Sequence, residues 1–172
     1  MDKTTKKQII AAVILLIFFG SSIAFAIISA FPTNNNSSSF IDGIPCSSME
    51  ELAYHIHAHL DIFVDGQYYV VPSNIGVATS CIYWLHTHDS TGIIHIEAPS
   101  VTTFKLGQFL DIWGNSTVNV KLPEGSPTVY INGNEFSGDY RNIPLNAYDE
   151  IAFVYGTAPS SIPSSYDFPA GL

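Results

Sequence analysis

The stretch Tyr54-His-Ile-His-Ala-His-Leu-Asp-Ile-Phe-Val64 alternates polar and apolar side chains. Its three histidines and Asp61 occupy odd-numbered positions, and the even-numbered positions are apolar. Strict alternation over this length predicts a half-buried β-strand, because successive side chains of a strand point to opposite faces. A helix through residues 49–60 is the alternative, and it would turn His57 away from the two histidines that flank it.

Patterns on either side of this strand predict a mainly β domain with one short helix, built as a compact sandwich or a β-grasp-like sheet. Asp65-Gly66 and Asn132-Gly133 are each typical of a two-residue hairpin turn. Apolar residues recur at helical spacing over residues 104–113, where we expect the helix. The Pro-rich tail, residues 159–172, should lie extended against the domain through its aromatic side chains. The other strands are expected at residues 67–71, 82–88, 93–97, 117–122, 128–132, 135–136 and 150–155.

The N-terminal part of the chain predicts export and attachment to the cell membrane. Residues 9–31 carry no charge and are long enough to span a bilayer as one helix. Lysines in the preceding residues 1–8 favour a cytoplasmic N-terminus, so a retained single-pass anchor would leave the rest of the chain outside. Residues 32–45 have the composition of a flexible linker, and residues 46–172 would form the extracytoplasmic domain. A signal peptide cleaved after Ala26 is the alternative, although such peptides usually have a shorter apolar stretch.

The expected outer domain is strongly acidic. Beyond residue 31 it has fourteen carboxylates and three basic side chains, which gives a net charge near −11. Proteins that bind nucleic acid neutralise its phosphates with basic side chains. This charge balance therefore excludes nucleic acid as a partner.

Cys46 and Cys81 are the only cysteines of the chain. An even number of cysteines in an exported chain predicts a disulfide. The alternative makes Cys81 the thiolate ligand of a blue-copper site. Such sites usually add an axial methionine, and the only methionines are Met1 and Met49.

All six histidines fall between residues 55 and 95. Imidazole is the commonest side-chain ligand of metals such as zinc and copper. Two imidazoles at alternate positions of a strand lie on the same face, about 6.5–7 Å apart, and can lean together onto one ion. We therefore predict a metal site whose candidate ligands are His55, His57, His59, His86, His88 and His95.

Asp61, Asp89 and Glu97 are candidates either for further ligands or for partners that orient the imidazole rings. The first and last imidazoles of the triplet His55 to His59 are separated by roughly 13 Å along a strand, so one ion is not expected to bind all three. One ion held by three or four histidines is the first expectation, and two ions are the second. Nitrogen ligands suit Cu(II) and Zn(II), and copper is slightly favoured because it stands highest in the affinity order.

Three functional interpretations stay open. A binding protein would capture, deliver or sense the metal, or use it to support an assembly with other membrane or surface proteins. A metal-dependent enzyme would use the same histidines for zinc hydrolytic or copper redox chemistry, with Glu97 or Asp89 as general base. A structural surface module would carry the histidines incidentally, as a hydrogen-bonded network or a pH-sensing surface. The sequence favours the binding protein, because nothing in it indicates catalysis.

Residues 52–172 resemble an uncharacterised family of exported, membrane-anchored prokaryotic proteins, archaeal in particular, that are rich in histidine. The resemblance rests on His-Ile-His-Ala-His at 55–59, Leu-His-Thr-His-Asp at 85–89 and His-Ile-Glu at 95–97. It implies a membrane-anchored extracytoplasmic protein and favours copper as the metal. The family has no assigned activity, so the resemblance implies no catalytic residue.

Overall fold

The structure, a computed structural model, describes Asp2 and residues 39–172. The predicted anchor, residues 9–31, and the first half of the predicted linker, residues 32–38, lie outside the described residues. In the second half, residues 40–41 and 44–45 already belong to strands. Within the described part, no helix has both the length and the apolar composition that crossing a membrane requires. This part is mainly β with one short α-helix, which confirms the predicted fold class at that level.

Two sheets make up the described domain. Strands β1 (Phe40–Ile41), β2 (Ile44–Ser47) and β5 (Ile82–Tyr83) form a small antiparallel sheet. The large sheet consists of β3 (Tyr54–Val64), β4 (Gln67–Tyr68), β6 (Leu85–His86), β7 (Ile93–Ala98), β8 (Thr128–Ile131), β9 (Asn134–Phe136) and β10 (Glu150–Tyr155). Its order is β6-β7-β3-β10-β8-β9, and β4 pairs with the last residues of β3. The helix α1 spans Leu106–Asn115, and a 3₁₀ turn spans Tyr140–Asn142.

Strand β3 is the centre of the large sheet and has a different neighbour along each half. Its first half pairs antiparallel with β7, from Tyr54 opposite Ala98 to His59 opposite Ile93. Its second half pairs parallel with β10, beginning with His59 opposite Glu150. The parallel pairing brings two segments that are far apart in the sequence side by side.

The apolar face of the large sheet packs against α1 in one hydrophobic core. Leu60 and Ile62 of β3 and Phe153 of β10 are fully buried in it, together with Phe109 and Trp113 of the helix. Side chains of a strand alternate between faces, so burying this set directs its polar neighbours to the opposite face. The position of the core therefore fixes the face on which the histidines lie.

The two predicted hairpin turns are confirmed. Asp65 and Gly66 have φ angles of 48° and 78°, and Asn132 and Gly133 have φ angles of 51° and 78°. Positive φ at both central residues is the requirement of a type I′ turn, which matches the twist of the flanking strands.

Three predicted strands differ from the structure. The strand expected at residues 67–71 is limited to β4, Gln67–Tyr68. The strand expected at residues 82–88 is divided into β5 and β6, so that its two pieces belong to different sheets. The strand expected at residues 117–122 is wrong, because no strand forms there. Two backbone carbonyls of this segment accept hydrogen bonds from side chains and not from a neighbouring strand. Trp113 Nε1 donates to Val120 O at 2.8 Å, and the Tyr69 hydroxyl donates to Lys121 O at 2.7 Å.

The predicted disulfide between Cys46 and Cys81 is present, with 5.3 Å between the two Cα atoms. It links β2 to the residue that precedes β5, across a sequence separation of 35. The bond fastens the small sheet close to the strand that continues towards His86. Cys81 is therefore not free to act as a thiolate ligand.

Candidate metal centre

Three strands of the large sheet place a row of histidines across its polar face. His57 of β3 lies directly opposite His95 of β7, and His95 lies directly opposite His86 of β6. Register in a sheet with one apolar face is fixed by the burial of that face. The same burial that forms the core therefore aligns these three imidazoles, and His55 and His88 extend the row.

Two pairs of ring nitrogens in this row are close enough to share an ion. His57 Nε2 lies 3.1 Å from His95 Nδ1, and His86 Nε2 lies 3.1 Å from His88 Nε2. Two nitrogens bound to one zinc or copper ion at about 2.0–2.1 Å are themselves about 3–3.4 Å apart. The observed separations are thus those of neighbouring ligands on one ion, although N–H···N hydrogen bonds have the same length.

Glu97 lies among these imidazoles. Its Oε1 is 3.2 Å from His55 Nε2, 3.6 Å from His95 Nδ1 and 3.9 Å from His86 Nε2. Its Oε2 is buried and has no hydrogen-bond partner among the described residues, and the side chain is only 3% exposed. Burial alone would raise the pKa of Glu97, but the nearby imidazoles of His95, His86 and His55 bring it below its ordinary value.

The hydrogen bonds of His86 show which of its nitrogens can bind a metal. Its Nδ1 lies 2.8 Å from the carbonyl oxygen of Tyr83, which only accepts, so Nδ1 carries the proton. The lone pair of Nε2 then faces the row of histidines. Burial lowers the pKa of His86 to about 4, and burial together with the adjacent His95 lowers the pKa of His57 to about 4. Both rings are therefore neutral at neutral pH, the form in which imidazole binds metals.

Buried His/Glu groups in this structure could hold a metal ion. In each group below, every residue offers one ligand atom, and these atoms all lie within 4.8 Å of one another. The first group is His86, His88, His95 and Glu97, and the second is His55, His57 and His95. Because the two groups share His95, we treat their six residues together as the histidine cluster. A third group, separate from the cluster, is His59, Asp61 and Glu150, which we call the His59 triad.

The histidine cluster opens to solvent at two of its histidines. The side chain of His55 is 35% exposed and that of His88 is 45% exposed, whereas the other members are buried. Glu50 Oε1 lies 3.3 Å from His88 Nε2 at this rim. An ion could therefore enter and leave from the side of His88 and His55.

Two residues of the His59 triad, His59 and Glu150, are buried, and Asp61 is half-buried. His59 Nδ1 lies 2.7 Å from Glu150 Oε2, and its Nε2 lies 2.8 Å from the carbonyl oxygen of Thr91. Burial lowers the pKa of His59, but hydrogen bonding to Glu150 and the charge of that carboxylate outweigh it, so the net shift is upward. Burial also raises the pKa of Asp61 to about 6, and Glu150 adds to this rise against the opposing effect of His59.

Asp89, the remaining candidate ligand, lies outside all three groups of the described residues. Its Oδ1 accepts a hydrogen bond from the backbone N–H of Thr91 at 2.9 Å. Hydrogen bonds from the side chain and backbone of Thr91 lower the pKa of Asp89. Asp89 is an exposed residue that holds the turn before β7.

Sequence reasoning missed three residues of these sites. Glu150 lies opposite His59 through the parallel pairing, Glu50 contacts His88, and Tyr166 of the tail stacks on His59. A carboxylate directly before the apolar run of β10 was a usable signal for Glu150. No local pattern indicates the positions of Glu50 and Tyr166, since both depend on tertiary contacts.

Comparison with protein-family models, with curated proteins and with solved structures finds no match for this chain. Neutral imidazoles and a buried carboxylate at these separations can bind a divalent cation, and that is the property on which a function can be built.

Proposed function

We propose that this chain is a membrane-anchored, extracytoplasmic metal-binding protein that holds Cu(II) or Zn(II) in the histidine cluster. It would capture, deliver or sense the metal, or use it to support an assembly at the membrane. The observation that carries the proposal is the convergence of His86, His88, His95 and Glu97, whose ligand atoms lie within 4.8 Å of one another.

The free oxygen of Glu97 favours a bound cation over a network of hydrogen bonds alone. Buried polar groups are nearly always paired, and an unpaired one costs about 1–3 kcal/mol, or more if it is charged. Glu97 Oε2 has no partner among the described residues, although histidines surround the other oxygen. A cation beside the carboxylate would satisfy it.

The composition of the histidine cluster suits copper or zinc. Five imidazoles and one carboxylate form a ligand set in which nitrogen predominates, and nitrogen ligands prefer these ions to magnesium or calcium. The general affinity order of divalent metals places copper above zinc. Copper is accordingly the metal that we propose first.

Several features support a location outside the cell. A disulfide persists in an oxidising compartment, and Cys46 and Cys81 form one. The uncharged segment 9–31, preceded by lysines, has the composition of a signal anchor. The resemblance to exported prokaryotic proteins points the same way.

A cavity of about 130 Å³ lies beside the small sheet and is lined by apolar side chains such as Val77, Tyr83 and Ile112. No histidine or carboxylate is among its lining residues. This cavity is therefore separate from the candidate metal ligands.

Copper binding by variants of the full chain tests the proposal. The protein is purified in detergent, stripped with a chelator and titrated with Cu(II), which is followed by elemental analysis and by electron paramagnetic resonance. His88→Ala and His57→Ala should each weaken Cu(II) binding by at least about tenfold and change the nitrogen hyperfine pattern. Asp89→Asn, a neighbouring change outside the cluster, should bind as the parent does. Unchanged Cu(II) binding in both histidine variants would overturn the proposal, and an equimolar Zn(II) competition tests the choice of metal.

A further inference from the structure

The His59 triad lies on the same sheet face as the histidine cluster but forms a separate group. His59 follows His57 by two positions on β3, a displacement of about 6.5–7 Å along the strand. Glu150 is directly opposite His59 across the parallel pair, and Asp61 is the next residue of β3 on this face. The three ligand atoms lie within 4.8 Å of one another, and none of them belongs to the cluster.

Both ring nitrogens of His59 are held, one by a backbone carbonyl and the other by Glu150. Its Nε2 donates to the carbonyl oxygen of Thr91 at 2.8 Å, which fixes the proton on that side. Its Nδ1 lies 2.7 Å from Glu150 Oε2. A backbone carbonyl that holds one imidazole nitrogen while the other faces carboxylates is a usual arrangement around a metal-binding histidine.

The charges of the His59 triad are not balanced by the residues around it. Glu150 has a fully buried side chain, and its Oε1 has no partner among the described residues. Within residues 39–172, the one ion pair between an arginine or lysine and a carboxylate joins Arg141 to Asp111, away from the triad. Burying carboxylates without a counter-charge is costly. The single imidazole of His59 can supply at most one positive charge against the two carboxylates of the triad.

The C-terminal tail covers the His59 triad. The ring of Tyr166 stacks on His59 with the centroids 3.7 Å apart and the planes at 10°, and the His59 side chain is only 2% exposed. The histidine cluster, in contrast, opens at His55 and His88. A ligand of the triad would therefore exchange slowly, since the tail has to move first.

We propose that His59, Asp61 and Glu150 form a second, closed site for a divalent cation, with Tyr166 as its cover. One nitrogen and two carboxylate groups form a harder ligand set than the cluster, which suits Zn(II) or Mn(II) more than copper. The two carboxylates balance the charge of the ion, and the free Oε1 of Glu150 gains a partner. The ion ties β3 to β10 beneath the tail, so its role is structural. This site does not depend on the histidine cluster, and either site can be absent while the other is present.

Zinc content tests the second site. The full chain in detergent is stripped, reloaded with Zn(II) and analysed for bound zinc after removal of the excess. Glu150→Gln and Asp61→Asn should each lower the zinc content by one ion per chain, whereas Glu135→Gln, on the exposed part of β9, should not. Zinc content equal to that of the parent in both triad variants would overturn the proposal. Loss of zinc in His88→Ala alone would support the cluster and count against the triad, so failure of one proposal is distinguishable from failure of the other.

Release kinetics test the cover. Transfer of Zn(II) to an excess of EDTA should show a slow phase, assigned to the triad by its absence from Glu150→Gln. Tyr166→Ala should speed this phase by about tenfold, while Tyr166→Phe, which keeps the stacked ring, should leave it unchanged. An unaltered slow phase in Tyr166→Ala would overturn the role of the tail. These variants keep β3 and β10 intact, and the absence of the slow phase from Asp61→Asn assigns it to the triad if Glu150→Gln fails to fold.

Discussion

The histidine cluster and the His59 triad share one strand and one sheet face, but they differ in ligand type and in access. The cluster has five imidazoles and one carboxylate, and two of its histidines are open to solvent. The triad has one imidazole and two carboxylates and lies beneath Tyr166. A displacement of two residues along β3 is enough to separate a group of candidate ligands that is open to solvent from one that the tail covers.

The difference follows from the partners of β3 rather than from β3 itself. Along its first half the neighbour is β7, which brings His95 and Glu97. Along its second half the neighbour is β10, which brings Glu150. The same repeated histidine therefore enters two chemical environments, because the sheet gives each half of the strand a different neighbour.

In metal-free protein, a fall in pH should lower the contribution of the histidine cluster to the free energy of unfolding and raise that of the His59 triad. This is the largest effect that we expect. His57 and His86 have folded-state pKa values of about 4 against an ordinary value of 6.5, so the unfolded chain binds more protons between these limits. Their contribution to the free energy of unfolding is complete above pH 6.5 and is lost as the pH falls towards 4, by roughly 3 kcal/mol for each histidine.

Asp61 works against this loss. Its folded-state pKa of about 6 exceeds its ordinary value of 3.8, so the folded chain holds the proton and gains stability as the pH falls through 6. In metal-free protein, Asp61→Asn should therefore steepen the acid loss, and His57→Gln should reduce it. Chemical denaturation at pH 7, 6, 5 and 4.5 measures both slopes. Identical pH dependence in the parent and both variants would show that the sites do not titrate as described.

Two glycines, Gly76 beside the histidine cluster and Gly92 beside the His59 triad, allow each site to be disturbed by itself. The expected effect on the free energy of unfolding is smaller than that of acid. A Cβ on Gly76 would lie 2.6 Å from Leu85 O and 3.1 Å from His86 Cβ, and a Cβ on Gly92 would lie 2.5 Å from Leu60 O and 2.9 Å from His59 Nε2. Both residues also have positive φ. Gly76→Ala and Gly92→Ala should each lower the free energy of unfolding by about 2–4 kcal/mol, since strain and overpacking add.

The metal content should distinguish these two variants. Gly76→Ala should weaken Cu(II) binding by the histidine cluster, and Gly92→Ala should weaken Zn(II) retention by the triad. Gly125→Ala is the matched control, because Gly125 has a φ of 99° and nothing within 4 Å of its added Cβ, so only backbone strain applies. A control that loses as much metal as the other two would mean that general destabilisation explains the result.

Glu97→Gln tests the carboxylate of the histidine cluster with little change in shape. Loss of its charge should weaken Cu(II) binding about 10- to 100-fold, because Glu97 Oε1 lies beside three imidazoles. Titration against a competing chelator measures the affinity. The slow zinc phase of the triad should stay as in the parent, and a change confined to that phase would contradict the assignment of Glu97 to the cluster.

The sequence predicted the parts of this molecule that depend on local periodicity. The alternation over residues 54–64 gave the strand and put its histidines on one face, and the helix expected at residues 104–113 is found at Leu106–Asn115. Strand spacing also predicted that His55 and His59 would not bind one ion together, and the structure places them in different groups. These features need only the alternation of a strand and the turn of a helix.

Features that depend on long-range pairing could not be predicted in the same way. The His59–Glu150 contact joins residues 91 apart in the sequence, and it exists because β10 pairs parallel with β3. The apolar run of β10 predicts a strand but not its neighbour. The position of Tyr166 likewise requires the path of the tail, for which its prolines predict only an extended shape.

The smallest effect is expected at Glu50, on the rim of the histidine cluster. Glu50 and His88 have side chains that are 40% and 45% exposed, and an exposed pair of this kind contributes about 0–1 kcal/mol. Glu50→Gln should therefore weaken Cu(II) binding by no more than about fivefold, and added salt should reduce even this difference because water and ions screen the pair. Isothermal titration at low and high salt measures it. A loss of Cu(II) affinity as large as that of Glu97→Gln, and insensitive to salt, would make Glu50 a direct ligand. The side of the cluster at His88 would then be closed by Glu50 and would no longer differ in access from the triad.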